Sequence, residues 1–548
     1  MSMVASQKRP LTSAPQTPVL PVQPRFIFLG LFKRWIWIAV FVAALLQSLF
    51  FFSPANLFAV VFVLFAWGLA DKFVLTAFNL SKYTFSTVII LGFSLTQYVL
   101  PLIFTLLEGK PITYNLKFPY SVFIHSLLAL VVFITSHHLY KKWREGLAGR
   151  LYYKLSLVLK RNYFFATPSN LQIWIIGFVG LAGMAVTYLS GSHFDGTAEA
   201  RGTVAKFFQG LVPYAYTPLF LLLRPLFSLK RPPFVKPPTL KVLIFASMLL
   251  FVGMGGNSRG LFMTGISAVG IAYLIGLLLG KFDHNIFNFK NALLAGLGLW
   301  IITGPLADLG TSMVIVRAQR SNLTSTELVL KTLEVLQNKK AIKQFRAMNT
   351  VIEVRDWDET YFDNIFLSRF CNLKYNDASL ELAYKLGKPN DDMLSYSIDK
   401  FWAILPLPVL NFFHLKVDKL TVNASSYGDY LYDRSGGKGG LGGFRTGHFA
   451  GTGMATFGWW YLLLMAVGVI PLFLLVDLFV MYYQQGAVMT TCLSLAGLIQ
   501  MNFFFTLFSV SNFSESVVNI YSFLMRGWIQ DALLYWFILL VLRKLRLF

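Results

Sequence analysis

A chain of 548 residues that is 56% hydrophobic, 16% aromatic and only 13% charged cannot keep its apolar surface out of water as a soluble globular protein, so it belongs in a bilayer. The formal charge of +23 is gathered in short stretches between apolar runs, including Lys141, Lys142, Arg144, Arg150, Lys154, Lys160 and Arg161. That distribution is positive-inside bias rather than a nucleic-acid footprint, and no nucleic-acid partner is expected.

The polar, proline-rich stretch 1–24 lacks the apolar core and small-residue cleavage site of a signal peptide and reads as a disordered cytoplasmic tail. From there, apolar runs long enough for a hydrocarbon core of about 30 Å centre on Val42, Phe65, Phe93, Leu130, Val179, Pro213, Met248, Ile271, Leu299, Met465, Leu495 and Tyr535. The predicted fold is therefore an all-α polytopic membrane protein of about twelve transmembrane helices. Its N-terminal bundle of about nine spans occupies 25–310, and a C-terminal bundle of about three occupies 456–548. Lys8, Arg9, Lys33 and Arg34 place the amino terminus on the cytoplasmic side, and Arg543, Lys544 and Arg546 return the carboxy terminus there.

The long hydrophilic stretch 311–455 then falls outside, as a large, mainly helical exterior loop domain. Leu, Val and Ile recur at helical spacing from Ser325 to Asn349, and a second amphipathic helix is predicted from Asp356 to Phe370. Leu405-Pro406-Leu407-Pro408 breaks the helical pattern, and SGGKGGLGG from Ser435 to Gly443 reads as a flexible linker or lid. Tyr482 to Gln485 is an uncharged connection within the C-terminal bundle. Cys371 and Cys492 indicate no disulfide framework.

Charged residues in or beside spans are costly and are functional candidates. Arg259, in Gly256-Asn257-Ser258-Arg259-Gly260, can clamp a phosphate where glycine admits a close backbone approach, or it can snorkel to the interface. Arg526 lies inside the last span, with Asp531 as a candidate ion-pair partner. Arg317 and Arg320 share a helix face suited to a pyrophosphate or to solvent, with Asp308 as a partner should the chain fold back.

In the loop domain, Asp356, Trp357, Glu359 and Asp363 mix carboxylates with an aromatic ring, as a sugar-binding groove would. On a helix Asp356, Glu359 and Asp363 would share one face, and Asp356 or Glu359 could serve as a general base; a solvated polar face is the alternative. His448 precedes the tenth span and can exchange a proton or hold structure. Glu515, between the last two spans, is a further acid that could replace the loop carboxylates. No HExxH or CxxC spacing occurs, and neither metal nor cofactor is expected.

Taken together, Asn257-Ser258-Arg259-Gly260-Leu261 opening a span, one long loop late in the chain, and GTGMATFGWWY from Gly451 to Tyr461 resemble the bacterial oligosaccharide repeat-unit polymerases of the O-antigen polymerase and ligase superfamily. The last of these is similar to the family's NFG lead-in to a helix, and the final span with Arg526 also fits. The resemblance covers most of the chain in architecture, through short motifs. It implies an enzyme of the bacterial cytoplasmic (inner) membrane that joins lipid pyrophosphate-linked oligosaccharides, without a cofactor. Its partners would be the lipid-linked substrate, membrane lipid, and chain-length regulator or export proteins. By the resemblance Arg259 matches the motif arginine, with Met263 where leucine is usual, and His448 matches the ligase histidine, with Gly458 and Tyr461 following. Phe449 replaces a small polar residue after that histidine, and the spacing to Gly458 is one residue short, departures that favour a polymerase over a ligase. A glycan or solute transporter is the reading from another functional class.

Overall fold

The computed structural model describes residues 26–189, 203–228, 238–282, 288–317, 319, 323–351, 357–364, 367–437, 441–443, 445–485, 488–500 and 512–545. They form an all-α membrane protein. Among the described residues, eight helices are long and apolar enough to cross a membrane: Ile27–Phe50, Pro54–Phe73, Thr84–Leu107, Pro119–Glu145, Asn170–Leu189, Gly296–Val316, Phe449–Asp477 and Val518–Lys544. Thr239–Gly255 and Met263–Leu278 are shorter apolar helices. The sequence led us to expect about twelve spans, and the difference has local causes. Around Pro213 the chain forms a 3-10 run, Val212–Leu226, because Pro213, Pro218 and Pro225 cannot donate backbone hydrogen bonds and disrupt an α-helix. It packs closely on Asn170–Leu189: a Cβ at Gly180 would lie 2.1 Å from the Ala215 nitrogen.

Near Leu495 the chain first forms an antiparallel hairpin, Val480–Gln485 with Val488–Leu493, in the register Val480↔Leu493. The connection predicted over Tyr482–Gln485 is thus a paired strand. Helical residues 495–500 follow it.

At the end of the bundle away from the loop domain, buried Asp477 accepts from the Phe85 and Ser86 amides at 3.1 and 3.2 Å, capping the helix Thr84–Ser94. Ser86 Oγ and Tyr140 OH also donate to it, at 2.6 and 3.1 Å. In a medium without water each of these partners offsets a desolvation cost of several kcal/mol, roughly.

The loop domain starts as predicted, with Ser325–Gln337 entered through a Thr324/Glu327 capping box, then Lys339–Val351. Asp308 does receive a partner when the chain folds back, but the partners are Lys339 at 2.6 Å and Arg346 at 2.9 Å. The helix predicted from Asp356 to Phe370 is not formed: residues 357–364 are irregular, and only a short 3-10 turn, Leu367–Phe370, follows. Side-chain carboxylates have taken the amides that a helix would use. Asp358 accepts from Thr360 N at 2.8 Å, and Glu108 from Asp363 N and Asn364 N at 3.0 and 3.1 Å.

The helices Leu373–Leu386, Asp391–Ala403, Leu407–Phe412, Lys419–Asn423 and Tyr427–Arg434 complete the domain. It is locked to the bundle by Asp377, whose carboxylate accepts from Lys117 N and Phe118 N at 3.0 and 2.7 Å, just before the span Pro119–Glu145. Lys374 pairs with Asp377 at 3.1 Å, and the two side chains are only 2% and 0% exposed.

Asp377→Ala leaves the buried Lys374 charge without its counter-ion and orphans two amide donors, so the full chain in detergent loses about 3–5 kcal/mol. Glu334→Ala, breaking the exposed Lys331–Glu334 pair, changes stability by under about 1 kcal/mol. Thermal unfolding of the two variants measures the contrast, and equal effects refute the lock.

Candidate functional site

The loop domain meets the bundle at the segment Arg445–His448, and separate acids hold it from several sides. Asp429, itself fixed by the Ser426 capping box of Tyr427–Arg434, accepts from Arg445 N at 2.9 Å and Arg445 Nη1 at 3.2 Å. The Arg445 guanidinium lies 4.1 Å from the Tyr432 ring centre. Glu359 accepts from Thr446 N at 3.4 Å and from Trp357 Nε1 at 2.7 Å. The structure thus brings the predicted residues Trp357 and Glu359 to the segment that carries His448, although no helix presents them.

His448 ends the segment as the N-cap of Phe449–Phe457. Its Nδ1 accepts from Ala450 N at 3.3 Å, which leaves the ring proton on Nε2. That nitrogen lies 3.5 Å from Gln97 Nε2, itself an amide donor. Burial, with His125 nearby, pushes the His448 pKa down to about 3, so the ring is neutral under ordinary conditions. Behind it, a Cβ on Gly451 would fall 2.2 Å from the Ser379 carbonyl carbon; only glycine lets the helix lie this close to Leu373–Leu386.

Gln97 belongs to a π turn, Leu95–Val99, inside the third long apolar helix. Such turns interrupt the regular ladder and often accompany functional sites. Ser126 Oγ donates to Gln97 Oε1 at 3.4 Å and receives from Asn376 Nδ2 at 3.1 Å. Next to Ser126, His125 Nδ1 lies 2.8 Å from Tyr461 OH, and its ring stacks on Trp459 with centroids 4.7 Å apart. Gln97, Ser126, Asn376 and His448, with the His125–Tyr461 pair alongside, therefore make a buried polar layer across the junction. Gln97, Ser126 and Asn376 escape sequence reading because neutral side chains scattered over 97–376 carry no pattern. His125 had a signal, an ionisable ring in an apolar span.

On the outer flank of the same segment, Glu515 accepts from Tyr427 N and from Gly428 N, the latter at 3.2 Å. Its backbone carbonyl receives Thr452 Oγ1 at 2.7 Å. Burial raises its pKa to about 7, against the opposing pull of those amides and of Lys400. Glu515, not Asp363, is the further acid beside His448: Asp363 pairs with Lys110 at 2.8 Å.

The arginines stand on other elements. Arg259 opens the helix Arg259–Leu278; its side chain lies outside the described set. Just before it, Asn257 has a left-handed backbone, φ 46°, and is buried with neither side-chain polar atom hydrogen-bonded to a described residue. Such a group is normally satisfied. Arg317 follows Pro305–Val316 and is exposed. Arg526 sits on a second π turn, Phe523–Gly527, and donates to Gln530 at 3.3 Å. Among the described residues Asp531 forms no ion pair with Arg526: its backbone carbonyl accepts from Tyr214 OH at 2.8 Å, and its carboxylate Oδ2 is buried without a described hydrogen-bond partner. Asp356 and Arg320 lie outside the described residues, as do Lys438 to Gly440 of the glycine-rich run. Among the described residues, no three His, Cys, Asp or Glu side chains gather as metal ligands.

No family model, curated protein or solved structure matches the chain.

Glu515 yields a pH signature. Its folded pKa of about 7 exceeds the ordinary 4.5, so the native state holds a proton that the unfolded chain has released between those values. Stability from this group is full below pH 4.5, falls by about 3 kcal/mol as pH rises to 7, and is level above it. Denaturation of Glu515→Gln against pH shows that slope removed; an unchanged slope excludes Glu515 as its source.

Proposed function

We propose that the chain is a glycosyltransferase that joins lipid pyrophosphate-linked oligosaccharide repeat units into an exopolysaccharide or O-antigen-type glycan. On this reading it works at the exterior face of a bacterial cytoplasmic membrane, with both termini in the cytoplasm. The observation that supports it most is the buried polar layer at the junction of loop domain and bundle. A lipid-borne substrate must bring its polar head to that level while its tails stay in the bilayer.

The reaction breaks the bond between the anomeric carbon and the pyrophosphate oxygen and forms one from that carbon to an acceptor hydroxyl oxygen. The departing pyrophosphate needs charge stabilisation, which we assign to Arg259, Arg317, Arg320 and Arg526. The unsatisfied amide of Asn257 supports a polar ligand at the Arg259 end. The acceptor needs orientation and a group to take its proton. Trp357 and Glu359 suit the sugar. His448, neutral and already a cap, suits hydrogen bonding to it more than proton removal. Asp356 or Glu359 then takes the proton, and Glu515, which lies against Gly447, is a further acid.

Deleting the gene in its host and sizing the surface glycans tests the reaction. Single repeat units in place of polymer are expected; complete polymer stranded on its carrier lipid assigns ligation instead, and unchanged glycans refute both. Arg259→Ala should lower polymer formation by about 10²-fold or more while the protein still inserts at normal abundance. Normal polymer from that variant refutes the arginine's assignment.

A further inference from the structure

The loop domain carries an apolar surface that its own fold does not cover. After the helix Asp391–Ala403, the chain turns at Leu405-Pro406 into the short helix Leu407–Phe412. Leu410 anchors this helix, with 1% of its surface exposed, whereas Leu407 is 58%, Phe412 76%, Phe413 59% and Leu420 50% exposed. The Phe412 and Phe413 rings meet edge to face at 5.2 Å, so they form one projection. Exposed Lys416 and part-buried Lys419, which donates to the Leu405 carbonyl, flank it. Water is a poor neighbour for so many adjacent large apolar side chains.

The position of the projection identifies its occupant. The preceding helix ends against the last span: Phe401 packs 6.4 Å, centroid to centroid, from Tyr521, whose hydroxyl donates to Leu464 O in the span Phe449–Asp477 at 2.7 Å. Tyr396, Tyr427 and Val518 form one apolar cluster that Phe401 and Phe457 join. Exposed Trp459 and Trp460 stand at the same end of Phe449–Asp477, as an aromatic belt does at a membrane boundary. The uncovered patch therefore follows closely in sequence a contact made with the first turn of the last span. Apolar rings beside lysines are the composition of a segment lying in the boundary between headgroups and acyl chains.

We propose that Leu407–Leu420 seats the loop domain in the leaflet on its own side, with Leu407, Phe412 and Phe413 inserted among the lipids beside the last span. This inference rests on the membrane architecture and is independent of the glycan reading. It makes the boundary lipid a structural partner of the loop domain and fixes one edge of that domain at the bilayer surface.

The test uses the full chain in single-copy lipid nanodiscs, with Cys371→Ala and Cys492→Ala, and an environment-sensitive fluorophore on Phe412→Cys, or on Leu407→Cys or Phe413→Cys should that variant fold poorly. Glu334→Cys, on the exposed face of Ser325–Gln337, is the control. A label at the patch should show blue-shifted emission, lose most of its intensity to lipids carrying a nitroxide near the headgroup, and resist aqueous iodide, while the control behaves oppositely. Quenching by iodide to the control's extent overturns the proposal. Shielding from both quenchers, or protection that appears only with two copies per disc, assigns the patch to protein contact and overturns it as well.

Discussion

The Asp377 carboxylate fixes the geometry on which the junction depends. It holds two amides at the head of the span that carries His125 and Ser126, and its own helix carries Asn376, which reaches Ser126, and Ser379, against which the helix of His448 rests. A single turn of Leu373–Leu386 thereby sets both walls of the polar layer. Lys374 neutralises the acid and donates to Asn115 O at 2.6 Å, so neither buried charge is left alone. An ion pair this deep repays its desolvation only with such extra bonds, and here the bonds all run between loop domain and bundle. The energetic requirement and the positional one are met by the same atoms.

Buried polar groups at the two ends of the bundle have different roles. At the far end, Asp477 is enclosed by Ser86, Tyr140 and two amides, and Arg144 lies 3.7 Å from the Tyr152 ring centre while donating to Tyr140 OH at 3.0 Å. These contacts cap one helix and tie it to two others. At the loop-domain end the contacts around Gln97 are longer, and no described residue hydrogen-bonds the Asn257 amide. A tightly closed network consolidates structure; a looser one leaves hydrogen-bonding capacity for a ligand.

Much of the architecture was legible because hydropathy registers directly what a bilayer demands. The runs centred on Val42, Phe65, Phe93, Leu130, Val179, Met465 and Tyr535 all lie in long apolar helices. The stretch from Ser325 to Asn349 was legible from its periodicity, although Asn338 divides it into two helices. Beyond the prolines that break Val212–Leu226, failures in the loop domain arise largely from competition by partners distant in sequence. Glu108 captures amides at 363 and 364, and so an amphipathic pattern yields no helix there. Asp308 is claimed by Lys339 and Arg346, which only the folded chain brings near. His448 could be singled out from its place before a span, but its role as a cap, and the amide facing it, required coordinates.

Neutrality is the consequence of that placement for chemistry. A site that loses its water through burial cannot keep its own charges cheaply, and here the imidazole of His448 is held neutral while the Glu515 acid is pushed toward neutrality. Under the proposed reaction the substrate itself supplies the charge, as pyrophosphate, and a neutral interior strengthens its attraction to any arginine that reaches it. Placing the cations on separate elements, at Arg259, Arg317 and Arg526, also avoids their mutual repulsion before the substrate arrives. A neutral, hydrogen-bonding centre with cations on independent supports is therefore suited to a reactant that enters from the lipid carrying negative charge, and poorly suited to one that enters neutral.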